Sequence, residues 1–191
     1  EKDFDELINN NKKCKIVKLN TSDINSREVI DSVNELKNKY IIFTGGGILK
    51  KDILSIQKVF LHIHPGIIPK YRGSTCFYYS LLENFSLGAT VYFMNENIDA
   101  GEIILQRNFS LNYYINSDQP FFVDYIIDNY IRSQALKETI ELFKQKTHFN
   151  TAVKDCSGFA YYIMHPFLRY LTIMKINKNY SPDKTEGINK C

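Results

Sequence analysis

The sequence predicts an α/β fold, a Rossmann-like three-layer sandwich with a mostly parallel sheet. Strand-like and helix-like segments alternate over residues 15–64, and such alternation is typical of layered α/β proteins. One strand-like segment, Tyr40–Thr44, is almost entirely apolar, as expected of a parallel strand covered on both faces. The chain has 191 residues, 44% of them hydrophobic. This length and apolar content favour one domain with a sizeable core.

The elements of the first third follow from apolar runs and capping residues. In order, the sequence predicts strand Lys15–Asn20, a helix capped by Ser22, Asp23 or Ser26 and ending near Lys37, strand Tyr40–Thr44, helix Lys50–Gln57 and strand Val59–His64. Glycines 45–47 follow the second of these strands, where we expect the backbone to approach a ligand closely.

The remaining elements are separated by loops rich in Pro, Gly and Asn. We expect a loop at Pro65–Gly73, a helix at Phe77–Asn84, strands at Gly88–Met94 and Glu102–Phe109, and a long helix from Asp118 to about Lys146. The stretch Tyr161–Pro166 is expected to be mostly core, with Pro166 breaking any continuous helix. Residues 1–178 are predicted to form one domain, and residues 179–191 a flexible tail.

Composition excludes several classes of function. The net charge is +3, and basic residues occur singly or in pairs, so no nucleic-acid partner is expected. No apolar run is long enough to cross a membrane, and no membrane partner is expected. The four cysteines form no Cys-x-x-Cys pair, which argues against a structural zinc site or a disulfide framework. A reducing, cytoplasmic setting is expected.

Two histidines, His62 and His64, end the strand Val59–His64. Residues i and i+2 of a strand point to the same face, and ligands of open α/β sheets bind beyond the carboxyl ends of strands. The alternative is a pair of hydrogen-bonded, partly buried histidines without a chemical role. Asp99, between two predicted strands, is a second candidate, although a loop aspartate beside glycine is often only turn chemistry.

The segment from His62 to Gly73 (HIHPGIIPKYRG) resembles the signature of the folate-dependent formyltransferase family. In that family an Asn-x-His-Pro strand end leads into a Pro-x-Tyr-Arg-Gly loop. The family's next block, a strand, an Asp-x-Gly and an apolar strand, is matched by Gly88–Met94 and by Asp99–Ile104. The resemblance runs from about Lys15 to Leu142 and implies the formyltransferase fold, with the usual first β-α unit missing.

The resemblance also implies site residues and a cofactor, N10-formyltetrahydrofolate, as formyl donor. His64 and Asp99 match the catalytic histidine and aspartate, whereas His62 stands where the family has asparagine. Six further residues match the segments that contact the folate ring: Gly47, Ile48, Leu49, Asn95, Glu96 and Ile98.

For formyl transfer we expect His64 to stabilise the oxyanion and carry a proton, because a histidine titrates near neutral pH. Asp99 would orient the imidazole and raise its pKa. His62 would donate a hydrogen bond to the oxyanion. Lys70 and Arg72 are candidates for contact with a substrate phosphate, and Cys76 is expected to be a packing residue.

Two other functions stay open. His-x-His with an aspartate can bind zinc or iron, which would suit a metal-dependent hydrolase; no metal is expected under the formyl-transfer hypothesis. A catalytically degenerate module that binds folate or a nucleotide is the second alternative, because His62 departs from the family pattern.

The preferred acceptor is a small primary amine, an amino sugar carried on a nucleotide. Members of the family that act on tRNA carry an additional C-terminal domain, and the residues after the long helix are expected to be too few to form one. The aromatic C-terminal third offers a surface for a homodimer.

Overall fold

The computed structural model describes residues 15–45, 47–110, 114–115, 122–145, 151–152 and 160–180. The strands are β1 (Tyr40–Phe43), β2 (Val59–His64), β3 (Ser86–Phe93) and β4 (Glu102–Ser110). The helices are α1 (Arg27–Asn34), α2 (Lys51–Leu54), α3 (Cys76–Asn84), α4 (Asp128–Gln145, preceded by a π-helical turn at Val123–Ile127) and α5 (Pro166–Asn179).

Local chemistry explains where two of the helices begin. The Ser26 hydroxyl accepts a hydrogen bond from the backbone N–H of Val29, 3.4 Å away, so it satisfies a donor that has no partner inside α1. Helix α5 begins at Pro166, a position where the missing N–H of proline costs no hydrogen bond. The described residues just before Pro166 are not helical. Pro166 therefore begins α5, and no continuous helix runs through it, as predicted.

The four strands form one sheet in the order β1-β2-β3-β4. Strand β1 pairs in parallel with β2, whereas the β2–β3 and β3–β4 pairs are antiparallel. The predicted mostly parallel sheet is therefore wrong, although the α/β architecture is confirmed. Strands and helices alternate as far as β3, because α3 lies between β2 and β3. A short connection at residues 94–101 then returns the chain antiparallel, since a parallel crossover needs a dozen or more residues.

Helices cover both faces of the sheet. Leu61 and Ile63 of β2 belong to the larger apolar cluster, which contains buried residues of α3, α4 and α5. Phe60 packs on the opposite face with residues of α1 and α2, among them Val29 and Ile53. Because side chains alternate along a strand, His62 and His64 share the face of Phe60. They lie next to the smaller cluster and outside the main core.

Three further predictions about elements can be compared with the structure. Lys15–Asn20 is not a strand; most of the segment is exposed and pairs with no strand among the described residues. Tyr161–Pro166 is not mostly core either, because Met164 is buried but Tyr162 is 88% exposed. The start of the long helix at Asp118 and the tail beyond Tyr180 lie outside the described residues, and the homodimer surface stays a prediction.

No helix within the described ranges is both long enough and apolar enough to span a bilayer.

Candidate functional site

The two histidines of β2 lie side by side on one face of the sheet. His64 is only 2% exposed; its Nε2 is 2.8 Å from the backbone oxygen of Tyr71, and its Nδ1 is 3.5 Å from Oδ2 of Asp99. His62 is half-buried, and its Nδ1 is 2.8 Å from the backbone oxygen of Phe43 on β1. The predicted juxtaposition of His62, His64 and Asp99 is therefore present.

Asp99 is the centre of a buried hydrogen-bond network. It is 9% exposed; its Oδ2 accepts the backbone N–H of Gly73 at 2.8 Å, and its Oδ1 accepts the hydroxyl of Tyr92 at 2.9 Å. Its φ of 49° lies in the left-handed region, which aspartate tolerates better than most residues. We call His64, Tyr71, Gly73, Tyr92 and Asp99 the Asp99 network.

The glycine after His64-Pro65 allows this network to close. A Cβ at Gly66 would lie 2.6 Å from the Tyr71 carbonyl oxygen and 2.9 Å from Nε2 of His64. Both distances are too short for any side chain, and both atoms belong to the hydrogen bond that holds the imidazole. A glycine at position 66 is therefore needed for His64 to reach Tyr71.

The electrostatics of the histidines differ from the prediction. Burial lowers the pKa of His64, and the opposing effect of the Asp99 carboxylate is smaller. Asp99 does act in the predicted direction, but its effect does not prevail, because desolvation of a buried imidazole disfavours the charged form. Burial also lowers the pKa of His62. Both rings are therefore mainly in the neutral form at pH 7.

Two loops flank the Asp99 network and carry the residues matched to the folate ring. We call them the two walls: residues 47–49 and residues 95–98. Ile48 is 65% exposed and Ile98 is 48% exposed, so each wall presents an isoleucine to solvent. A weak ion pair connects the start of α2 with the second wall, with Nζ of Lys51 3.9 Å from a carboxylate oxygen of Glu96. Binding of the folate ring between the two walls stays a prediction.

Local hydrogen bonds shape each wall. Asn25 donates to the backbone oxygen of Ile48 at 3.0 Å and accepts from the N–H of Lys50 at 2.7 Å. Leu49, by contrast, is buried in the smaller cluster, so only its backbone can face a ligand. In the other wall, Asn95 accepts the N–H of Asn97 at 2.9 Å and donates to the Ala100 oxygen at 3.3 Å.

The two cations proposed for a substrate phosphate have different surroundings. Lys70 is exposed and forms an ion pair with Glu83 of α3, with Nζ 2.6 Å from Oε1; that hydrogen bond raises the pKa of Lys70. Arg72 is buried, and its backbone oxygen accepts the N–H of Tyr161 at 2.7 Å. Contact of either residue with a phosphate stays a prediction.

Cys76 and the metal hypothesis can also be assessed. Burial raises the pKa of the Cys76 thiol to about 12, so the residue is a packing residue, as expected.

Among the described residues, no group of three His, Cys, Asp or Glu side chains is arranged to hold a metal ion. Nδ1 of His62 and Nε2 of His64 are instead directed at separate backbone carbonyls.

Sequence reasoning missed several partners in the site. Tyr92 and the N–H of Gly73 hold Asp99, the Tyr71 carbonyl holds His64, and the Phe43 carbonyl holds His62. Three of these partners are backbone groups and leave no side-chain signal. Tyr92 does leave one, because the hydroxyl of a tyrosine in a buried strand needs a hydrogen-bond partner.

Comparison with known proteins identifies the family. Residues 5–118 match the family described as formyl transferase, which is more than half of the chain. The chain therefore belongs to the formyl transferase family.

Two curated relatives and two solved structures illustrate the similarity. Methionyl-tRNA formyltransferase of Ehrlichia ruminantium is 36% identical over 85 residues, 43% of this chain and 28% of the relative. The same enzyme of Clostridioides difficile is 30% identical over 122 residues, 62% of this chain and 38% of the relative. The chain thus spans well under half of the length of these relatives.

The fold is shared with solved formyltransferases. The formyltransferase PseJ from Anoxybacillus kamchatkensis, solved with UDP-4,6-dideoxy-4-formamido-L-AltNAc and tetrahydrofolate, superposes with a TM-score of 0.58 at 17% identity, covering 84% of this chain and 81% of that chain. A 4-N formyltransferase from Francisella tularensis gives a TM-score of 0.55 at 18% identity, covering 95% of this chain and 74% of that chain. The predicted formyltransferase fold is confirmed.

Proposed function

We propose that this protein transfers a formyl group from N10-formyltetrahydrofolate to a primary amine. The observation that carries the proposal is the burial of His64 against Asp99, 3.5 Å apart, in a chain of the formyl transferase family. The donor is a substrate of the reaction, and its ring would contact the two walls, where Ile48 and Ile98 expose apolar surface.

The geometry assigns His64 a way to hold a proton. A carbonyl oxygen only accepts hydrogen bonds, so the contact with Tyr71 places a proton on Nε2 of His64. The neutral ring then has its lone pair on Nδ1, which faces the Asp99 carboxylate. A proton that reaches Nδ1 is stabilised by that carboxylate, and Gly73 and Tyr92 hold the carboxylate in place.

For the acceptor we propose a small amine, an amino sugar carried on a nucleotide. The support is that PseJ, which was solved with a UDP-linked formamido sugar and tetrahydrofolate, shares the fold of this chain with a TM-score of 0.58. Sequence identity is higher to the methionyl-tRNA formyltransferases, 36% and 30% over the matched segments, than to PseJ, 17%. Methionyl-tRNA is therefore the second candidate acceptor.

The proposal is tested by incubating the purified protein with N10-formyltetrahydrofolate and a panel of acceptors. The panel contains UDP- and dTDP-linked 4-amino-4,6-dideoxy sugars together with methionyl-tRNA, and tetrahydrofolate release is followed spectroscopically. We expect turnover with at least one amino-sugar nucleotide. Turnover with methionyl-tRNA alone would show that tRNA, and not an amino sugar, is the acceptor. Binding of the donor without turnover on any amine would show that the protein binds folate but is not an enzyme of this kind.

A further inference from the structure

The imidazole of His62 is fixed in one tautomer by a backbone carbonyl. Its Nδ1 lies 2.8 Å from the oxygen of Phe43, and a carbonyl oxygen has no hydrogen to donate, so Nδ1 carries the proton. Phe43 is also the register partner of His62 in the β1–β2 ladder. The sheet itself therefore sets the orientation of the ring.

The other ring nitrogen, Nε2, is left as a hydrogen-bond acceptor. A neutral imidazole with its proton on Nδ1 has a lone pair on Nε2. Within the ranges that the structure describes, no hydrogen bond to this Nε2 is formed. The rings of Phe43 and Tyr92 pack on His62, with centroids 5.8 Å and 5.9 Å away, and leave the half-buried side chain partly open to solvent.

The charged groups around His62 come from three elements. Burial is the largest effect and lowers its pKa; Arg132 of α4 acts in the same direction. The Phe43 hydrogen bond, Asp99 in the connection between β3 and β4, and Asp128 of α4 oppose it, and His64 is the other titratable group on the same strand face. The net effect keeps His62 neutral at pH 7, the state in which Nε2 can take a proton.

We propose that His62 accepts the proton that the attacking amine releases during formyl transfer. The inference rests on the proposed function and deepens it. It reverses the role expected from the sequence: His62 was expected to donate to the oxyanion, but its Nδ1–H is already committed to Phe43. An asparagine at this position offers an amide in place of a basic nitrogen.

The step balances without another reagent. The amine nitrogen forms a bond to the formyl carbon, and one of its protons passes to Nε2 of His62. The bond between the formyl carbon and N10 then breaks, and that proton passes to N10, which leaves as the secondary amine. Amine and formyl donor thus become formamide and tetrahydrofolate, with His62 returned to its neutral form.

The substitution His62→Asn separates the roles of the two ring nitrogens, the donor Nδ1 and the acceptor Nε2. The asparagine amide can still donate to the Phe43 carbonyl, but nothing replaces Nε2. We expect the kcat of the wild-type reaction with a UDP-linked 4-amino sugar to fall by about 10²–10⁴-fold, the usual contribution of general base catalysis. The acid side of the pH profile should also become less steep, because one of the two histidines that must be neutral is gone. Imidazole added to the buffer should restore part of the rate.

The matched control is His165→Asn. His165 caps α5 by accepting the Phe167 N–H on its Nδ1, asparagine is also a good cap, and the residue is outside the site. We expect no change in rate or pH profile. A His62→Asn protein with the wild-type rate and profile would overturn the inference while leaving the proposed function intact.

The tautomer can be read without any acceptor. Nitrogen-15 NMR of the labelled wild-type protein at pH 7 should show His62 protonated on Nδ1 and unprotonated on Nε2. A proton on Nε2 would overturn the inference, whether or not the variant folds. Failure of the wild type to transfer formyl to any amine would instead count against the proposed function, so the two failures are distinguishable.

Discussion

The Asp99 network and the two walls lie in one site but are built differently. In the network, His64 and Asp99 are buried, and each oxygen of the carboxylate has a protein donor. In the walls, Ile48 and Ile98 are largely exposed, and the ion pair between Lys51 of α2 and Glu96 of the second wall is solvated and 3.9 Å long. A buried polar network has one arrangement, because each unmade hydrogen bond is costly. Exposed loops can adjust. The proposed proton transfer would need the first property, and the proposed binding of the folate ring would need the second.

We expect the largest effect from removing the carboxylate at the centre of the Asp99 network. We expect Asp99→Ala to lower formyl transfer by about 10³-fold, since positioned charge and proton-transfer groups each contribute on that order. It should also lower the free energy of unfolding by about 2–4 kcal/mol, because the Gly73 N–H and the Tyr92 hydroxyl lose their buried acceptor. Rates and urea unfolding measure the two effects.

Glu141→Ala is the control for Asp99→Ala. Glu141 is an exposed carboxylate of α4 whose partner, Lys144, is also exposed, so the change should be close to neutral in both measurements. Loss of activity in Asp99→Ala without loss of stability would mean that the hydrogen bonds of Gly73 and Tyr92 contribute little to folding.

The second change fills the space beside His64. We expect Gly66→Ala to reduce the free energy of unfolding by about 1–3 kcal/mol, as overpacking does, because its Cβ would press on the Tyr71 carbonyl and on Nε2 of His64. Activity should fall with stability, since the same hydrogen bond orients the imidazole. A Gly66→Ala protein as stable and as active as the wild type would show that the loop can move aside, and the contrast with the walls would disappear.

The pH dependence of stability reports on the burial of the two histidines. Their folded pKa values are lowered from 6.5, so below about pH 6.5 the unfolded chain binds more protons than the folded chain, and stability falls as the pH falls. Urea unfolding at pH 7.5 and at pH 5.5 should show this loss. His64→Gln should make the dependence weaker, and an unchanged dependence would mean that His64 does not contribute to it.

The smallest expected effect lies in the walls. We expect Ile48→Ala and Ile98→Ala each to raise the KM for the formyl donor by about 5–30-fold, the equivalent of about 1–2 kcal/mol of apolar contact. Because both side chains are exposed in the free protein, the melting temperature without donor should not change. Loss of stability instead of donor affinity would show that these isoleucines belong to the core.

The order of elements could be predicted from local patterns. The bounds of β2 match the prediction, Val59–His64. The cap of α1 is Ser26, one of the three residues suggested for that role. Lys15–Asn20 was predicted as a strand from two apolar residues, but it pairs with no described strand. Strand direction was also wrong beyond β2. A strand forms only when it pairs with a neighbouring strand. The residues of the strand itself determine neither which strand that is nor whether the pair is parallel.

The candidate site divides in the same way. The residue types and their spacing placed His62 and His64 on one face of β2 and indicated Asp99 as their partner, because the two-residue period of a strand and the motif order are properties of the chain alone. Only the tertiary structure decided which nitrogen of each ring carries the proton, and that burial outweighs Asp99 in the pKa of His64. The carbonyls of Phe43 and Tyr71 decide the first, and solvent exclusion decides the second. Both depend on contacts between distant parts of the chain, and these exist only once it has folded.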